Sequence, residues 1–65
     1  MNRKKLEKIK GLYKEGVSPI VCSTVIAQMS KNIEEGAIWI NRFYAESVIG
    51  PLEKKIEKIN EETKE

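Results

Sequence analysis

Apolar residues recur along this chain at the three- and four-residue spacing of amphipathic helices. The first such segment covers 2–15, where Leu6, Ile9, Leu12 and Tyr13 form one stripe between lysines. Gly16 follows as its stop, since glycine enters the left-handed conformation that closes a helix without steric cost. Ser18-Pro19 reads as the start of a second helix. The serine oxygen accepts a free backbone N–H, and proline at the first helical position has no N–H to lose. Val21, Cys22, Val25, Ile26, Met29 and Ile33 then gather on one side, predicting a helix over 19–35 that ends at Gly36. A third helix is predicted over 37–63, with a kink or break at Gly50-Pro51, where proline removes a backbone hydrogen bond and crowds the preceding turn.

The two halves of the third segment differ. Between Ala37 and Ile49, apolar side chains point in nearly every direction around the axis, the mark of a helix covered on all sides. Beyond it, Leu52, Ile56 and Ile59, with Thr63 following, keep the 4-3-4 spacing of a short coiled-coil seam flanked by Lys and Glu. The string Lys4-Lys5-Leu6-Glu7-Lys8-Ile9 returns as Lys54-Lys55-Ile56-Glu57-Lys58-Ile59. Two similar helices at the chain ends are thereby expected to pack antiparallel, setting the basic first helix beside Glu61, Glu62 and Glu65. The fold class is all-α: one domain, 1–65, forming a small bundle of about three helices completed by oligomerisation.

The expectation of a partner comes from size. A chain of 65 residues buries only about 60% of the surface it exposes when unfolded, so small folds lean on disulfides, metals, efficient packing or a second chain. A single cysteine, Cys22, closes no internal disulfide, and with no histidine there is no ligand set for structural zinc. Packing or association must supply the stability.

Charge sharpens this. Although 34% of residues are charged, none lies between Gly16 and Ser30. The side of the second helix away from its apolar stripe offers Ser23, Thr24, Ala27, Gln28 and Ser30, small groups that let another backbone approach closely. Uncharged elements occupy the middle of the chain and charged ones both ends, a pattern that an intertwined homodimer explains. Its expected interface is Val25, Met29, Ile38, Trp39, Phe43, Ile49, Leu52, Ile56 and Ile59, with Trp39 and Phe43 as aromatic anchors. Arg42 and Glu46, one turn apart, are expected to pair on the remaining polar strip.

The formal net charge is +2, and residues 1–15 alone hold six Lys or Arg against two Glu. This basic helix supports an alternative in which Arg3, Lys4, Lys5, Lys8 and Lys10 hold nucleic-acid phosphates. The ten-residue string Ile9-x-x-Leu12-Tyr13-Lys14-Glu15-Gly16-Val17-Ser18 resembles the lead-in to helix-turn-helix domains of recombinase and transposon regulators, which implies DNA binding. The resemblance stops there. Helical periodicity continues through the position of the expected turn, and the next candidate recognition helix, near Ile38 to Phe43, is apolar.

Catalysis has little to start from: there is no serine–histidine–acid set, no Gly-rich phosphate loop and no histidine to complete a carboxylate metal site around Glu34/Glu35 or Glu61/Glu62. Cys22 lies on the apolar stripe without a neighbouring base. The expectation is therefore a non-enzymatic, cofactor-free interaction or regulatory module acting on its own copy or another protein, with no small-molecule substrate. A phage- or plasmid-type inhibitor of a host protein fits the same features. With no secretory signal pattern and no apolar run of about 20 residues, the expected location is cytoplasmic, away from the membrane.

Overall fold

In the computed structural model, which describes residues 1–63, four α-helical segments follow one another: α1 Arg3–Lys14, α2 Pro19–Met29, α3 Ile33–Tyr44 and α4 Gly50–Thr63. A π-helical turn, Ala45–Ile49, joins α3 to α4 without a break, so the chain forms three rods and the described residues include no strand. The all-α fold and the count of about three helices are as predicted.

The caps explain the boundaries. Asn2 Oδ1 accepts from Lys5 N–H at 2.9 Å, Ser18 Oγ from Val21 N–H at 3.3 Å and Asn32 Oδ1 from Glu35 N–H at 2.8 Å, each satisfying a backbone donor that the first turn leaves open. α1 closes on Gly16 at φ 109°, where Gly16 N–H donates to Tyr13 O and Val17 N–H to Leu12 O, both at 3.1 Å.

One predicted boundary is wrong. The second helix stops at Met29 rather than continuing to 35, and the third begins at Ile33 rather than 37. Ser30 is extended and its hydroxyl donates back to Ile26 O at 2.7 Å, while Asn32 caps the next helix. Ile33, which the periodic stripe assigned to the apolar face of α2, is 91% exposed. Gly36, expected as a stop, is instead buried within α3 against α2. A methyl group added there would come 3.6 Å from Ser30 Oγ and 3.7 Å from Ala27 Cα, ordinary van der Waals contact with the end of α2.

The π turn resolves the problem of Pro51. Proline at that position has no N–H for the carbonyl four residues back, and its ring crowds the same carbonyl. The ladder widens instead, and Gly50 N–H donates to Ala45 O, five residues upstream. A Cβ at Gly50 would come 3.0 Å from that oxygen, so glycine fits where a larger residue would push the turn apart. The rod is thus locally re-wound but not split.

The core is thin. Leu6 and Ile9 from α1, Cys22 and Ile26 from α2 and Phe43 from α3 are its fully buried members. Phe43 meets Tyr13 edge-on, with ring centroids 5.7 Å apart, and Tyr44 at 5.4 Å. Met1, Val17, Val25, Trp39, Ile40 and Val48 pack around them. All of this lies against α3 and the π turn. α4 runs on from the π turn as an overhang, and the molecule measures 50 × 25 × 19 Å.

Candidate functional site: an apolar helix face and a basic first helix

The overhang is the main feature that the fold leaves unexplained. Ile49, Leu52, Ile56 and Ile59 succeed one another at spacings of three, four and three residues, and each is between 46% and 57% exposed. α4 packs on the π turn from which it grows and makes no substantial contact with α1. The expected antiparallel pairing of the two similar end helices is therefore absent within the chain: Glu61 and Glu62 do not lie on α1, and Glu65 falls outside the described residues. A helix of 14 residues standing alone in water is marginal, because nucleation costs more than a few backbone hydrogen bonds return.

The predicted interface residues divide into three groups. Phe43 is a correction: it is fully buried in the protomer's own core and unavailable as an anchor between chains. Val25 and Trp39 are partly buried against that core, and the guanidinium of Arg42 sits over the Trp39 ring, 4.9 Å from its centroid. Met29, Ile38, Ile49, Leu52, Ile56 and Ile59 are exposed. The stretch 37–49 is thus covered on one side by α1 and α2, not all round as its composition implied.

The small-residue strip of α2 is partly used inside the chain. Ala27 and Ser30 face Gly36, and an open apolar groove of about 420 Å³ runs beside them, lined by Ala27, Ser30, Ile33, Gly36, Ala37 and Ile40. Ser23 and Thr24 satisfy their hydroxyls locally, donating to Ile20 O at 2.8 and 3.0 Å. Cys22 is buried near the start of this helix, and burial pushes its thiol above the ordinary value, away from the thiolate that reactive chemistry requires.

Electrostatics gather on Glu46. Arg3 reaches it with both terminal nitrogens, at 2.7 and 2.8 Å, and Lys10 Nζ lies 2.9 Å from the same carboxylate. These contacts, Arg3 foremost and then Lys10, hold the Glu46 carboxyl at about 2. The hydrogen bond to Glu46 likewise holds the Lys10 ammonium above its ordinary value. Glu7 lies 3.4 Å from both Arg3 Nε and Lys10 Nζ. Arg42 therefore does not pair with Glu46 as expected. Just ahead of the first helix, the amino group of Met1 lies 2.9 Å from Glu35 Oε1 and keeps that carboxyl below its usual range.

Of the five predicted phosphate-binding cations, Arg3 and Lys10 are thus committed to Glu46, whereas Lys4, Lys5 and Lys8 are exposed and have no ion pair among the described residues. No helix among the described residues is long and apolar enough to cross a membrane. Comparison with known proteins finds no matching family model, no similar curated protein and no similar solved structure.

Proposed function

We propose that this protein is a small non-catalytic interaction module that works as a homodimer or higher oligomer through its exposed apolar helix faces. The observation that carries the reading is the ratio of apolar side chains outside to inside. Among the described residues, ten large apolar residues are at least 37% exposed, Leu52, Ile56 and Ile59 among them, against five in the buried core. Scattered single residues on a surface need no explanation, but a row at coiled-coil spacing does. A second chain covering that row removes the apolar surface from water and stabilises a helix too short to stand alone. Light scattering coupled to size exclusion tests this on the full chain: a mass near twice 7.5 kDa, or a higher multiple, at micromolar concentration is expected. A stable monomer throughout would overturn it.

Lys4, Lys5 and Lys8 favour a second reading, binding of duplex nucleic acid through phosphates. It expects an affinity for DNA at low salt that collapses as salt rises and on replacing these three lysines. No binding at low salt would remove it.

A further inference from the structure

The exposed row that runs from the last residue of the π turn along α4 is symmetric about Lys54: Leu52 and Ile56 lie two residues to either side, and Ile49 and Ile59 lie five. We propose that two copies pair through α4 in antiparallel orientation, with the two-fold axis near Lys54. Leu52 then faces Ile56 of the second copy, and Ile49 faces Ile59. This rests on the oligomer reading above and adds orientation and register to it.

A parallel pair would also match apolar layers, so charge decides between them. In the parallel arrangement, Glu61 and Glu62 of the two chains come level with each other, and the two basic first helices stand at the same end. Both juxtapositions repel. In the antiparallel arrangement, Glu61 and Glu62 come level with residues 46–47 of the second copy, where Arg3 and Lys10 of the basic first helix converge on Glu46. The acidic end of each α4 lies toward the end of the other molecule that carries the basic first helix, and the two basic helices lie far apart. The attraction between chain ends that the sequence pattern predicts is then met between molecules.

Lys54 and Glu61 are seven residues apart, so spin labels at the two positions sit at the same place around the seam and differ only along it. Labels are introduced by Lys54→Cys or Glu61→Cys in the full chain with Cys22→Ala. They are introduced also with Cys22 retained, since its buried thiol is shielded from the reagent and the native core is kept. Antiparallel pairing separates the two labels at 61 by about 21 Å along the axis and those at 54 by about none, making the measured intermolecular distance at 61 about 8 Å the longer. Equal distances at the two positions would overturn the antiparallel register while leaving the dimer standing. Lys54 lies on the face away from the row, so its labels are expected about 20–25 Å apart across two packed helices, and a dimer mass with a much longer distance at Lys54 would remove α4 from the interface. A monomer mass would defeat the oligomer reading itself.

Discussion

Replacing Ile56 by alanine separates a solvated α4 from a covered one by the sign of the effect. Ile56 is 48% exposed in the protomer, so roughly half of its side chain remains to be buried by a partner. Full burial of an isoleucine stabilises by about 1.5–3 kcal/mol, which puts the remaining half at about 1 kcal/mol. A dimer contains the residue twice, and a loss of about 2 kcal/mol weakens association about 30-fold. Were α4 solvated, the same substitution would remove a β-branched residue from an exposed helix and leave stability unchanged or raised by about a few tenths of a kcal/mol, because alanine is the better helix former. Sedimentation equilibrium over a range of micromolar loadings measures the dissociation constant directly, and adding Leu52→Ala should weaken it further. Association unchanged or tightened in Ile56→Ala would refute the reasoning.

Other consequences follow from the core, the Glu46 cluster and the caps. Phe43→Ala empties the centre of a core with five buried apolar side chains among the described residues and should cost about 3–5 kcal/mol, a large part of a domain stability of about 3–10 kcal/mol, lowering Tm by more than about 10 °C; a melting point within a few degrees of the parent would contradict the packing described. Glu46, held at about 2 against an ordinary 4.5, contributes stability that is complete above pH 4.5 and is lost as pH falls toward 2. Carboxyl NMR should find its midpoint near 2, moving up toward the ordinary value in Arg3→Ala. Asn32→Ala removes the cap of α3 and should cost about 1 kcal/mol, a fall of about 5 °C in Tm. An unchanged Tm would mean that the helix does not begin there.

What was legible in the sequence was the local chemistry. Gly16 and Ser18-Pro19 marked the end of α1 and the start of α2 because caps and stops depend on residues within one turn. The break at 30–32 carries a comparable signal, Asn32 followed three residues later by Glu35, but Ile33 continues the apolar stripe of α2 across it and masks the end of that helix. That Leu52, Ile56 and Ile59 form one row along a helix was readable from spacing alone. The place of Phe43 was not: a stretch that is apolar all round can be covered by its own chain or by another, and only the path of α1 and α2 decides which side is which. Glu46 was misread for the same reason. Its local neighbour Arg42 was visible at one helical turn, whereas Arg3 and Lys10 reach it from 43 and 36 residues away.

Hydrogen exchange on α4 tests the central claim most directly. If another copy covers the apolar row, backbone amides from Leu52 to Ile59 exchange slowly at high protein concentration, and their protection falls on dilution in step with dissociation. Protection that is weak at every concentration, or strong and indifferent to dilution, would contradict the account, because a single chain would then either leave that helix frayed in water or cover it unaided.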